Sequence, residues 1–423
     1  MKEYVFWYAN DATDPDWIQD ASIDHLIKYC NLKPIPEQKQ IFFSSSIVDK
    51  TKNNIFFITP KVLGSGIKEL LDWEDEIKWC DDNGITVIYD NSWESLEFCL
   101  PGNEILKIQD IIPKKFKIFC NFLNGDVKLN DPTIRPFLKY AVDVKFFPMY
   151  LGFQMELMKH DTWNVINPSK NIKRKYLFSL LCGEIRKPHR ALTLAGLMAE
   201  DLLANSFYTT FLRKHGDQFQ STNSLYPSGA WIDEEHLQDF KYYNYLKDNY
   251  YDKIMVNKLF DFPYTNSNEV SLGVDADFRI PIQMHESYFN IVFESFENEA
   301  LCFFTEKTFK PMLAEIPFII CGTLHQNQHL KSLGFEIFPE IFDYSFEGFE
   351  NNAKDPVEKL IQSTTNKLHY SEEFVAEIKR VSELPLSVFD QPSVLAKIKH
   401  NKELITQLGS KENTRNKLNE ILS

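Results

Sequence analysis

The chain has 423 residues, 43% hydrophobic and 25% charged, which excludes a disordered chain and fits two or three globular domains. Forty-six basic residues against 60 acidic ones leave a net charge of −14, so any contact with phosphate groups needs a local basic island. Glycine is scarce (15) and phenylalanine abundant (35), which argues for aromatic-filled cores and against glycine-loop architectures. No apolar run reaches 18 residues and no leader pattern opens the chain, so a cytoplasmic protein without a membrane span is expected. The seven cysteines are odd in number, widely spaced and mostly inside apolar runs. Buried thiols are expected rather than disulfides or a zinc site.

In chain order, residues 4–8 read as a strand and 17–29 as a helix behind the Asp-rich turn 11–16. Strands at 55–59 and 85–89 flank a helical segment at 67–79, and two more strands follow at 117–120 and 144–147. Continuous apolar strands separated by helix-length segments predict a parallel sheet covered on both faces. A polar break at 164–175, with Pro168, precedes a second alternating block. That block runs as strand 176–182, helix 190–203, and a long aromatic and acidic stretch at 216–251. Strand 288–293, a helix from 306, strand 317–321, helix 325–333 and a short strand at 335–338 follow. From 348 onward the pattern is helical. The predicted class is α/β, with an N-terminal domain over 1–165, a C-terminal domain over 170–385 and a helical segment over 386–423.

The densest chemical signal is Phe293-Glu294-Ser295-Phe296-Glu297-Asn298, followed by Phe303-Phe304-Thr305-Glu306-Lys307. It reads as a strand, a loop and a helix opening at Thr305, a residue type suited to the N-cap. A lysine in the first turn opposes the helix dipole, and a bound anion would reverse that disadvantage. The alternative is an ordinary exposed Glu-Lys pair at a helix start. A second island lies at 170–190, where Lys170, Lys173, Arg174, Lys175, Arg186, Lys187 and Arg190 face a single acid, Glu184. Arg186 and Arg190 follow a strand and open a helix, the place where α/β sheets hold phosphate ligands. A solvated basic patch is the plainer reading, and His189 reads as a cap or packing residue.

These segments resemble the donor-binding motif of the α-1,3-fucosyltransferases and related GT-B glycosyltransferases, which runs Phe-Glu-Asn, a short spacer, then Tyr-x-Thr-Glu-Lys. Phe296-Glu297-Asn298 and Phe303 to Lys307 match it, and Pro317-Phe318-Ile319-Ile320 matches the strand after the motif's helix. Phe303 stands where the family has tyrosine, so a phenolic hydrogen bond to the donor is missing, and the spacer is one residue shorter. The resemblance spans roughly 175–344. It implies two Rossmann-like domains facing across a cleft, with a nucleotide-sugar held by the C-terminal one. Glu306 would contact the donor ribose, Lys307 its phosphates, and Arg190 or Arg186 the diphosphate, with Glu294, Asn298, Phe303 and Thr305 around them. A GDP-sugar is favoured and a UDP-sugar possible, with no other cofactor and no metal.

Inverting transfer to a hydroxyl acceptor needs a carboxylate base. Asp90, directly after 85–89, is the first candidate, with Asp11 and Glu94 behind it, and each also fits an ordinary turn or cap role. Asp275-Ala276-Asp277 and Asp14-Pro15-Asp16 mimic a metal-binding Asp-x-Asp, but among 60 acidic residues such spacing recurs by chance. No phosphate-loop, dinucleotide or zinc-protease motif is present. The aromatic run Phe240 to Tyr245 could stack on sugars or bases, or simply pack in a core. The expected activity is transfer of a sugar to a glycan or other hydroxyl acceptor. Two alternatives stay open: a hydroxylated base in DNA as acceptor, which the negative charge disfavours, and a non-catalytic binding module of the same fold.

Overall fold

Short uninterrupted runs of Ile, Val and Phe suit strands of a parallel sheet covered on both faces, and this chain builds two parallel sheets. The computed structural model describes residues 4–8, 33–34, 53–58, 70–71, 73–91, 115–120, 143–146, 172–184, 188–211, 238–249, 280–294, 304–322, 325–348 and 356–410, with 412, 413, 416 and 420. The expected helix at 17–29 lies outside these residues. The chain divides into two compact units, Met1–Leu157 with Ala300–Phe303 and Thr406–Ser423, and Met158–Glu299 with Phe304–Ile405.

In the first unit β1 (Tyr4–Tyr8), β2 (Lys33–Pro34), β3 (Asn53–Ile58), β4 (Thr86–Asn91), β5 (Phe116–Cys120) and β6 (Asp143–Phe146) form one sheet. Its order is β2-β1-β3-β4-β5-β6 and every pairing is parallel. Val87, Ile88 and Tyr89 are consecutive and all buried, as a strand covered on both faces requires. Helix α1 (Glu74–Asp82) starts seven residues later than its apolar pattern predicts. Glu74, Asp75 and Glu76 crowd its first turn, where the helix dipole favours negative charge. It buries Ile77 and Cys80 and ends at Gly84, whose φ of 66° suits glycine.

The second unit holds β7 (Tyr176–Glu184), helix α2 (Pro188–Ala199), β8 (Phe207–Phe211) and helix α3 (Tyr243–Asn249). Helix α4 (Ile282–His285), β9 (Ser287–Phe293), helix α5 (Glu306–Leu313), β10 (Phe318–Cys321) and helix α6 (Gln326–Ser332) follow. The sheet order is β10-β9-β7-β8, again wholly parallel. Strand β8 was not anticipated. It exists because α2 stops at Ala199 and Asp201 takes a left-handed turn (φ 55°), which frees the aromatic and β-branched run Phe207 to Phe211 to pair with β7.

The predicted short strand at 335–338 is not a strand. Its backbone is bonded instead by side chains: Asn401 accepts from the Glu336 N–H and donates to its carbonyl, and the Tyr344 hydroxyl accepts from the Phe338 N–H. A 3₁₀ turn (Tyr344–Glu347), helix α7 (Pro356–Ser382), a second 3₁₀ turn (Leu386–Asp390) and helix α8 (Pro392–Leu408) follow, the second unit ending at Ile405 within α8. The second turn places Phe389 parallel to Phe289 of β9, with ring centroids 5.8 Å apart. Asn401 ties α8 to the same unit. Phe240 and Tyr242 are buried and Tyr242 packs on Gly196 of α2, so this part of the aromatic run is core. Among the described residues Cys80, Cys182 and Cys321 are buried thiols, and no helix is long and apolar enough to cross a membrane.

Candidate functional site

In the second sheet the chain passes from β7 to β8 on one side and then returns to β9 on the other side of β7. Two neighbouring parallel strands whose following connections leave in opposite directions open a crevice at their carboxyl ends, the usual ligand position in such sheets. Helix α2 follows β7 and helix α5 follows β9, so the two segments singled out in the sequence meet at that crossover.

Glu294, the residue after β9, has no exposed surface. Its carboxylate accepts from the Thr305 N–H at 2.9 Å, from the Thr305 hydroxyl at 2.7 Å and from the Thr308 hydroxyl. Its main-chain carbonyl accepts from Arg190 Nε at 3.2 Å and Nη2 at 2.8 Å, and lies 3.0 Å from His189 Nε2. One residue therefore joins the start of α2 to the start of α5. Close packing enforces this. A Cβ on Gly322, just past β10, would fall 2.0 Å from Gln326 Oε1 and 3.1 Å from Glu294 Cβ, so a larger residue there must displace the Gln326 side chain and crowd Glu294.

Thr305 caps α5 as its residue type predicts: its backbone is extended (φ −107°, ψ −177°) and its hydroxyl oxygen accepts from the Lys307 N–H. Lys307 Nζ lies 2.6 Å from Glu306 Oε1 and 3.5 Å from Thr305 Oγ1. Glu306 is buried and the Lys307 side chain only 16% exposed, so this is not an ordinary solvated pair. Burial pushes the Glu306 carboxyl up, but Lys307 and Lys310 beside it more than offset that and hold it below the ordinary carboxylate range. Cys182, near the end of β7, is raised by burial, against the opposing pull of Arg190 and Lys307. Among the described residues, Arg190, Lys307 and Lys310 gather with Glu294 and Glu306 in a mostly buried cluster of three basic and two acidic side chains. Such clusters are costly and gather at functional sites.

Of the residues expected at a donor site, the fold brings together Arg190, Glu294, Thr305, Glu306 and Lys307. Arg186, Asn298 and Phe303 lie outside the described residues, as do Asp11, Glu94, Asp275 and Asp277. Asp90 lies in the first unit, and β4 runs through it to Asn91, with Asp90 paired to Phe119 and Asn91 to Cys120. It is thus the penultimate residue of the strand rather than the first residue beyond it. Sequence reasoning missed Thr308 and Lys310, although both sit in the same motif. It had no signal for the Glu294 carbonyl as the anchor of Arg190 and His189. No group of three or more metal-ligating side chains occurs among the described residues. No family model, curated protein or solved structure matches this chain.

Proposed function

We propose that the chain is a nucleotide-sugar-dependent glycosyltransferase of GT-B arrangement, with the donor diphosphate held at the carboxyl ends of β7 and β9. One observation carries the reading. Arg190 and the Glu306–Lys307 pair, more than 100 positions apart, converge at the crossover of a parallel sheet. The start of α5 adds its dipole to the same place, which suits a phosphate. In this reading Lys307 holds a phosphate oxygen, Glu306 accepts from the ribose hydroxyls, and Arg190 neutralises the leaving diphosphate.

The reaction consistent with these roles is an inverting transfer that needs no metal. The acceptor oxygen attacks the anomeric carbon as its proton passes to a carboxylate of the N-terminal domain, and the nucleoside diphosphate leaves. Asp90 is the first candidate for that carboxylate, with Asp11 and Glu94 next. The acceptor is a glycan or another hydroxyl compound, and the donor base is guanine in preference to uracil.

The test is calorimetric titration with GDP-, UDP- and CMP-sugars in excess chelator, followed by thermal melts. At a hundredfold excess over Kd a bound donor stabilises the fold by about 2.7 kcal/mol. A GDP-sugar that binds and is slowly hydrolysed without acceptor is the expected result. Binding without hydrolysis identifies a non-catalytic module, and binding restored only by manganese moves attention to Asp275 and Asp277. Failure of every nucleotide-sugar to bind ends the proposal.

A further inference from the structure

Glu294 touches both halves of the candidate site, yet its own carboxylate is closed off from solvent. Its two oxygens receive three donors, and two of these come from Thr305. A hydroxyl has one proton and two lone pairs. Because the Thr305 proton points to Glu294 Oε2 at 2.7 Å, the same oxygen is left to act only as an acceptor on its other side. That side is where the Lys307 N–H (3.3 Å) and the Lys307 ammonium (3.5 Å) lie. The ammonium also donates to Glu306 Oε1 at 2.6 Å. A continuous chain thus runs from Glu294 through the Thr305 hydroxyl to Lys307 and on to Glu306.

We propose that Glu294 is the positioning residue of this site: its buried carboxylate sets the direction of the Thr305 hydroxyl and so orients the Lys307 ammonium, while its carbonyl holds Arg190 at the same edge. The inference rests on the proposed donor site only for what Lys307 then binds. The positioning itself stands on the hydrogen bonds.

Glu294→Gln exposes this logic. The amide oxygen can keep the Thr305 N–H and the Thr308 hydroxyl, but the amide nitrogen then faces Thr305 and donates to it. The Thr305 hydroxyl must turn its proton elsewhere, and its acceptor lone pair toward Lys307 is lost or shared. Thr305→Val removes the hydroxyl at nearly constant shape, and Thr305→Ser retains it. Thr305→Val also removes the cap of α5, so the melting temperature of each variant is read beside the lysine.

The experiment measures acetylation of Lys307 by acetic anhydride, read by mass spectrometry with the exposed Lys331 and Lys399 as internal references. Calorimetric binding of GDP is run on the same samples, and circular dichroism confirms folding. In Glu294→Gln and Thr305→Val the Lys307 reactivity should rise several-fold relative to the references, and Thr305→Ser should keep the wild-type ratio. GDP affinity should fall roughly tenfold in the first two, the scale of one charge-assisted hydrogen bond. If Glu294→Gln does not fold, the Thr305 pair decides alone. An unchanged Lys307 ratio in folded Thr305→Val overturns the positioning role. A raised ratio in a protein whose wild type binds no GDP or GDP-sugar leaves the positioning intact and removes the donor reading instead.

Discussion

Lys307 stands in the first turn of α5, where its charge opposes the helix dipole. The carboxylate of Glu306 at 2.6 Å changes that balance, and the two are largely withdrawn from water together. An exposed lysine at this position would matter little for folding. This one does matter, because removing it takes away the cation bonded to the buried Glu306 carboxylate. Lys307→Ala is therefore expected to lower donor affinity about 10- to 150-fold and also to destabilise the fold by about 3 kcal/mol. In the wild type the depressed Glu306 carboxyl contributes stability that is present above its ordinary pKa and lost as pH falls through the lower folded value. In the variant burial acts with less opposition and raises that carboxyl, so the loss should be larger at pH 8 than at pH 5. Urea unfolding at the two pH values reads the difference, and equal losses would show that Glu306 is not responsible.

Between elements, two contacts have measurable consequences. Helix α2 meets α7 and the segment before α3 at Gly196, where a Cβ would come within 2.6 Å of Val375 Cγ2 and 2.9 Å of Tyr242 Cε2. Gly196→Ala gains helix propensity but overpacks this contact, so a net loss of about 1–3 kcal/mol is expected by denaturant titration. Beneath the site, Glu347 Oε1 accepts from the Asn327 N–H and side-chain amide, and Asn327 in turn bonds both the N–H and the carbonyl of Ile320 in β10. Glu347 Oε2 is buried without a partner, and burial pushes this carboxyl up from 4.5 to about 7. A raised acid stabilises the fold below its unfolded pKa, and that contribution is lost as pH rises through the folded value. The range from 4.5 to about 7 corresponds to about 3 kcal/mol. Glu347→Gln keeps the acceptor for Asn327 and carries no charge. Its melting temperature should exceed that of wild type at pH 8 and lose the decline between pH 5 and 7; parallel melting curves for both proteins would refute the assignment.

Across the whole molecule, two parallel sheets in two compact units supply separate edges, and the proposed transfer assigns the donor to one and the base to the other. The proposed base lies in the first unit. Asp90 is the penultimate residue of β4, at the carboxyl edge of the first sheet. Asn is a close substitute for Asp in a hydrogen-bonding role but cannot take a proton. Asp90→Asn is expected to lower turnover by roughly 100- to 10,000-fold while donor affinity stays unchanged. Turnover within a few-fold of wild type would transfer the role to Asp11 or Glu94.

Much of this was written locally in the chain. Uninterrupted apolar runs such as Val87 to Tyr89 mark covered strands, and Thr305 marks a helix start, because burial and capping depend on a few neighbouring residues. The same locality made Glu306 and Lys307 legible as a candidate anion site. What tertiary structure alone decided are the contacts that arise once β7 and β9 pair: Arg190 and His189 on the Glu294 carbonyl, 104 and 105 positions away. The run at 335–338 shows the limit from the other side. It is apolar enough for a strand, yet Asn401 and Tyr344 occupy the backbone groups a neighbouring strand would need. A residue's pattern states what it can bury, whereas its hydrogen-bond partners depend on which distant segment reaches it, and that is a property of the folded sheet.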